Sequence, residues 1–198
     1  GLAEARMAAL KQDPALGPYT VWLEQVSRWR PHQLAEDMET LLQEKASSGR
    51  SAWNRLFDET MADLRFPVDG SDLTSAEVLN MLSSPDRAKR KAAGEAVGKT
   101  LGANGRLFSQ ITNTLAKDKA VEDKWRHYAR PISARNLANQ VEDEVVDALV
   151  DAVKAAYPRL SHRYYALKAK WFGQEHLDYF DRNAPLPNSA DRLIHWPE

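Results

Sequence analysis

The 198-residue sequence contains no cysteine. That excludes a disulfide scaffold and any metal site built from thiolates. No apolar run approaches the about 20 residues that a bilayer-spanning helix needs, so no membrane partner is expected. The first residues, Gly1-Leu2-Ala3-Glu4, supply neither an initiator methionine nor the apolar stretch of a signal peptide. Gly1 reads as a cloning or processing scar, both ends look cut, and the absences together fit a cytoplasmic protein. A dominant charge sign is also missing. The formal net charge is −1, so no global field draws the chain toward nucleic acid or a membrane.

Helical periodicity dominates what is present. Hydrophobic residues make up 43% of the chain, enough for a core and too many for wholesale disorder. Tyr19, Trp22, Leu23, Val26 and Trp29 recur at three- and four-residue steps until Pro31 stops them. Leu34, Met38, Leu41 and Leu42 resume the pattern. Ser48-Gly49-Arg50-Ser51 reads as a break, with Ser51 placed to cap a helix carrying Trp53, Leu56, Phe57, Met61 and Leu64. Residues 65–73 hold an Asp-Gly turn between short arms, the best site for a hairpin. Thr74 and Glu77 form a capping-box pair ahead of Val78, Leu79 and Leu82. Ser84-Pro85 reads as a cap followed by proline at the first helical position. An alanine-rich charged helix then runs to about Leu101, and Asn104-Gly105 breaks it. Leu107, Phe108, Ile111 and Leu115 form the next stripe. Residues 126–142 read as a loop-rich connection. A final long helix carries Val146, Leu149, Val153, Leu160, Tyr164, Leu167 and Trp171, with an irregularity at Pro158. The expected fold is mainly α: an array of antiparallel amphipathic helices with one small β-hairpin near residues 65–73.

The chemical motifs are mostly false leads. Ala93-Gly94-Glu95-Ala96-Val97-Gly98-Lys99-Thr100 fits a relaxed phosphate-loop pattern. A working phosphate loop follows a buried strand, whereas Arg87-Ala88-Lys89-Arg90-Lys91-Ala92 precedes this one. Gly94 and Gly98 read instead as small residues where a neighbour packs closely on a helix. Residues 85–135 carry a net charge of +7, residues 1–84 carry −5, and residues 136–198 carry −3. The basic middle is able to meet nucleic-acid phosphates. It is equally able to be a solvated face or to pair with the acidic thirds, and no nucleic-acid module is visible. A zinc-peptidase helix needs histidines at i and i+4 with glutamate at i+1. His32, His127, His162 and His176 are followed at i+4 by Glu36, Pro131, Ala166 and Phe180, and His195 stands too near the end. His176, Asp178 and Asp181 are the candidates for a small oxygen–nitrogen site, set against ordinary loop polarity. His162, among Arg163, Tyr164 and Tyr165, reads as a surface or packing residue. Glu142-Asp143-Glu144 is explained by a helix start, where the helix dipole favours negative charge. No Gly-x-Ser-x-Gly elbow appears.

Pro158-Arg159-Leu160-Ser161-His162-Arg163-Tyr164-Tyr165-Ala166-Leu167-Lys168-Ala169-Lys170-Trp171-Phe172-Gly173 is a helix opened by proline and closed by glycine. Leu177-Asp178-Tyr179-Phe180-Asp181-Arg182-Asn183-Ala184-Pro185-Leu186-Pro187 follows it. Together they resemble the oligoendopeptidase F family, bacterial relatives of thimet oligopeptidase. Ser51-Ala52-Trp53-Asn54-Arg55-Leu56-Phe57, Leu82-Ser83-Ser84-Pro85-Asp86-Arg87, Leu115-Ala116-Lys117-Asp118-Lys119 and the stretch from Asn139 to Val150 continue the likeness in order.

The resemblance implies a cytoplasmic zinc peptidase that cleaves short peptides in a channel between helical lobes. The family's zinc ligands, two histidines of an H-E-x-x-H helix and a downstream glutamate, lie on no position of this sequence. The chain is then expected to be an amino-terminal helical lobe (1–140) and the start of the catalytic metallopeptidase domain (141–198), truncated before the zinc motif. On that reading it holds no catalytic residue, no cofactor-binding residue and no metal ligand. Its partners are short peptides in the full-length channel and the remainder of its own catalytic domain, with no nucleic acid and no membrane. The alternatives are a stand-alone helical interaction module, or a nucleic-acid-binding helical domain using the basic face of residues 85–135.

Overall fold

The computed structural model describes residues 4–187. Gly1, His195 and the rest of the last eleven residues lie outside that range. The helices are α1 (Glu4–Gln12), α2 (Thr20–Arg28), α3 (Glu36–Ala46), α4 (Arg50–Asp63), α5 (Ser75–Met81), α6 (Arg87–Ala103), α7 (Gly105–Trp125), α8 (Ser133–Ala138), α9 (Asp143–Ala156) and α10 (Arg163–Trp171). Between α4 and α5 stand two short strands, β1 (Phe66–Val68) and β2 (Ser71–Leu73). The expected class, helices with one hairpin, is what the chain adopts. It divides into two compact units. The first holds residues 1–52 and 113–150, the second residues 53–112 and 151–198.

The hydrophobic core of the second unit is built around the hairpin. Strands β1 and β2 pair antiparallel, with Phe66 opposite Leu73 and Val68 opposite Ser71. Asp69 and Gly70 both have positive φ, +50° and +82°. That is the mirror-image turn whose twist matches a hairpin, and Asp-Gly suits it because aspartate and glycine tolerate the left-handed region. Alternation along β1 points Phe66 and Val68 inward and Pro67 outward. Phe66 and Val68 meet Val78 of α5 and Ala93 and Ala96 of α6, all buried. Leu64, Leu73, Met81, Leu82 and Val97 pack around them. The capping box at α5 is formed: the Glu77 N–H donates to Thr74 Oγ1 and the Thr74 N–H to Glu77 Oε2.

Four local readings need correction. Ser51 does not cap α4; the helix begins at Arg50, with the Gly49 carbonyl accepting from the Ala52 N–H at 3.0 Å. Ser84-Pro85 does not start α6. Asp86 is the cap, accepting from the Ala88 N–H at 2.8 Å, while Ser84 Oγ accepts from the Asp86 N–H. The connection over 126–142 contains α8, which begins without a side-chain cap and runs for six residues; neither periodicity nor a start signal marks so short a helix. At Gly98 nothing stands where a Cβ would project. Gly94 behaves as expected: a Cβ there would lie 3.0 Å from Tyr179 Cε2 and 3.1 Å from Phe180 Cβ.

The irregularity at Pro158 is a wide turn in which the His162 N–H donates to the Tyr157 carbonyl, five residues back. Proline lacks the N–H that a regular helix would use there. Gly173, φ +68°, closes α10, with the Gly173 N–H on the Lys170 carbonyl and the Gln174 N–H on the Ala169 carbonyl. This is the paired closure that glycine favours after a helix. The same closure ends α7 at His127 and α8 at Gln140, at φ of +59° and +57° without a glycine.

The two helical glycines give a direct test of packing. Gly98→Ala should raise stability by about 0.5–1 kcal/mol, since alanine adds helix propensity in open space. Gly94→Val should lower it by about 1–3 kcal/mol, because Phe180 Cβ is held by backbone and cannot retreat. Urea titration followed by tryptophan fluorescence checks both.

Candidate functional site

The only fully buried ion pair among the described residues joins Arg90 of α6 to Asp181. Arg90 and Arg87 stand three residues apart on α6, and so face the same side. Asp178 and Asp181 stand three apart across a turn, closed by the Asp181 N–H on the Asp178 carbonyl at 2.9 Å. The two pairs interlock. Arg90 Nη2 donates to Asp181 Oδ1 at 2.7 Å, and Arg87 Nε donates to Asp181 Oδ2 at 3.2 Å. Arg87 Nη2 donates to Asp178 Oδ2. Arg90 Nη1 reaches the Ser84 and Pro85 carbonyls at 2.7 and 2.9 Å. Its guanidinium is thereby nearly saturated.

Lys168 of α10 completes the arrangement. It is 2% exposed and donates from Nζ to the Arg182 carbonyl at 2.7 Å. Burial, then the Arg90 charge, push its pKa down, while Asp181 opposes them. At Asp181 burial pushes the carboxyl upward, but the hydrogen bond from Arg90 and the charges of Arg87 and Arg90 outweigh it, so the net shift is downward. Phe172 lies 5.9 Å from both the Arg90 and Lys168 cations, and Phe180 packs under Arg87 at 5.0 Å. The turn over 178–184 is thus tied by charge to α6 and by a backbone contact to α10. What this cluster does chemically is hold structure: each carboxylate faces a guanidinium, and neither is free to act as a base.

The first unit has its own polar node. Arg126 donates from Nη1 and Nη2 to Glu39 Oε1 and Oε2 at 2.7 and 2.8 Å, and from Nε to Glu122 at 2.7 Å. The hydrogen bonds from Arg126 and from the Leu34 N–H hold Glu39 at about 2, below the usual 4.5. Glu39 first, then Glu122, raise Arg126 against the effect of burial. His32 Nδ1 lies 2.7 Å from the Arg126 carbonyl, and its ring stacks on Tyr128 with centroids 4.0 Å apart. Beside this node lies a cavity of about 360 Å³ lined by Leu34, Met38, Leu41, Leu42, Val121 and Trp125 among others.

The histidines are dispersed. His32 is committed to the node, His127 ends α7, and His162 sits in the wide turn. The His176 side chain is 88% exposed, beside Glu175. Arginines already hold Asp178 and Asp181, so these carboxylates and His176 are not grouped to take a metal. Among the described residues, no group of three or more His, Asp or Glu side chains is placed to hold a metal ion. The basic stretch 85–135 is partly neutralised on folding. Arg87, Arg90, Lys91, Lys119, Arg126 and Arg130 all pair with carboxylates.

A family model described as Oligopeptidase F matches residues 2–66. Oligopeptidase PepF of Bacillus subtilis (strain 168) is 30% identical over 187 residues, 91% of this chain and 28% of that protein. Group B oligopeptidase PepB of Streptococcus agalactiae is 27% identical over 183 residues, 89% of this chain and 30% of that protein. The crystal structure of oligoendopeptidase-F from Enterococcus faecium aligns with a TM-score of 0.79 at 26% identity, covering 93% of this chain and 38% of that one. The chain is similar to the oligoendopeptidase F family along most of its length. It corresponds to the amino-terminal part of an oligoendopeptidase F-type peptidase, and spans less than a third of the length of the curated relatives it matches.

The family likeness rested on residues 158–187, and the ion-paired clasp of this oligoendopeptidase F relative ties that segment down. The pairing itself was missed in the sequence. Its signal was two arginines and two aspartates, each spaced by three, but 91 residues separate Arg90 from Asp181. Asp181→Asn keeps the shape and strands Arg90 without a buried counter-charge. It should cost about 2–5 kcal/mol. Replacing both partners, Arg90→Met with Asp181→Leu, should recover most of that loss, as measured by urea titration.

Proposed function

We propose that this chain is the amino-terminal lobe of a zinc-dependent oligopeptidase that hydrolyses short peptides inside an enclosed channel. The lobe shapes the channel and limits the size of peptide admitted. Residues 1–140 form the lobe proper, and residues 141–198 open the catalytic domain. The proposed setting is the cytoplasm. The observation that carries the reading is the likeness to oligopeptidases across about nine-tenths of the chain, against under a third of their length.

Zinc belongs to the longer parent polypeptide in this reading. Among the described residues none fits that ion: the histidines are scattered, and Asp178 and Asp181 are held by arginine. No catalytic step is assigned to any side chain of this segment.

The stand-alone module is the weaker reading. Leu149, Leu160, Tyr164 and Trp171 on α9, the wide turn and α10 are largely exposed, and apolar surface of that kind marks a missing neighbour. No helix among the described residues is long and apolar enough to cross a membrane.

The reading is tested on the gene and on the chain. The parent reading frame should continue past Glu198 and encode H-E-x-x-H, and the 198-residue polypeptide should not cleave a fluorogenic peptide with or without added zinc. A stop codon after Glu198, or chelator-sensitive cleavage by the fragment alone, contradicts it.

A further inference from the structure

The cavity of about 360 Å³ in the first unit lies between α3 and α7, and its two ends differ in charge. At one end the charges cancel among themselves. Glu39, near the start of α3, takes two hydrogen bonds from Arg126, just past the end of α7. Glu122 takes a third from Arg126 and stands 3.7 Å from Arg50. Two carboxylates thus meet two guanidinium groups.

At the other end two charges are left over. Lys45 lies nearly two turns on from Glu39 along α3, and Asp118 just over two turns back from Arg126 along α7. Both line the cavity and both are exposed. Neither has an ion-pair partner among the described residues.

Between the ends the walls are apolar. Met38, Leu42, Val121 and Trp125 line the space, and Leu42, Val121 and Trp125 are 40%, 46% and 55% exposed. A space of this volume, apolar along its walls with a few polar groups at its edge, has the make-up of a small-molecule site. Methionine adapts its shape to what enters.

The two leftover charges select the ligand class. A fatty acid would set its carboxylate against Asp118. An alkyl amine would set its ammonium against Lys45. A peptide of several residues carries its two charges at opposite ends. A free amino acid carries both charges on one carbon, with its side chain directly attached.

We propose that this cavity binds a free α-amino acid with a large apolar side chain. The side chain lies between α3 and α7 beside Trp125, the ammonium faces Asp118 and the carboxylate faces Lys45. The site belongs to the first unit alone, and binding involves no covalent step. Opposite charges placed in this way set the orientation of the ligand more than its affinity.

The test is titration calorimetry of the full-length parent with L-phenylalanine, 3-phenylpropanoate and 2-phenylethylamine. Phenylalanine should bind once per chain. Each analogue lacks one of the two charges and should bind about fivefold more weakly, the upper size of one exposed ion pair. Asp118→Lys should invert the order in favour of 3-phenylpropanoate, and Lys45→Glu should invert it in favour of 2-phenylethylamine. Circular dichroism checks that each variant keeps its helices, and either variant alone suffices to read the inversion. Equal affinity for all three ligands overturns the assignment of a zwitterion. Phenylalanine binding that neither substitution alters lies elsewhere on the parent and overturns the site. Absence of binding near the solubility limit of phenylalanine overturns the inference outright.

Discussion

One buried pair of charges governs the second unit. Moving Arg90 and Asp181 out of water is costly, and their attraction offsets that cost only when every other donor and acceptor is also satisfied. Here that condition is met. Arg90 also holds the Ser84 and Pro85 carbonyls, and Asp181 also takes Arg87. The clasp therefore defines one geometry and penalises its neighbours. It is a device for register more than for net stability. Apolar packing agrees with it: Tyr179 and Phe180 close on Gly94, the position on α6 that has no side chain to obstruct them.

The two units hold themselves together by different balances of force. In the second, the hairpin, α5 and α6 enclose Phe66, Val68, Val78, Ala93 and Ala96 away from water. In the first, Leu23 is the buried hydrophobic residue among those described. Polar links carry more of the structure there. Arg126 gathers Glu39, Glu122 and the His32 carbonyl, and Arg130 holds Asp147 through two hydrogen bonds. Buried Asn136 anchors α8 to Asp143 at the start of α9. Such links are directional, so they position helices without demanding a large apolar interior.

Local structure was legible in the sequence where a short-range rule decides it. The Asp69-Gly70 turn, the Thr74–Glu77 box, the Gly173 stop and the break at Pro158 each depend on residues within a few positions of one another. The start of α6 was misplaced because Ser84, Pro85 and Asp86 are all capping types, and only the fold shows that Asp86 takes the Ala88 N–H. Helix α8 was missed because six residues without a side-chain cap offer neither a periodic stripe nor a start signal. The clasp was invisible for a stronger reason. Its partners are far apart in the chain, and charge alone does not say which arginine meets which aspartate. The resemblance to oligoendopeptidase F draws on the very residues the clasp immobilises, which is why the likeness is readable while the contact itself is not.

The central claim is that the turn over 178–184 and the hairpin core open together as one unit. Native-state amide hydrogen exchange measures this directly. The Asp181 and Ala184 N–H groups, which donate to the Asp178 and Asp181 carbonyls, should exchange as slowly as the Val78 N–H of the core. Fast exchange at Asp181 and Ala184 beside a protected Val78 would contradict the account.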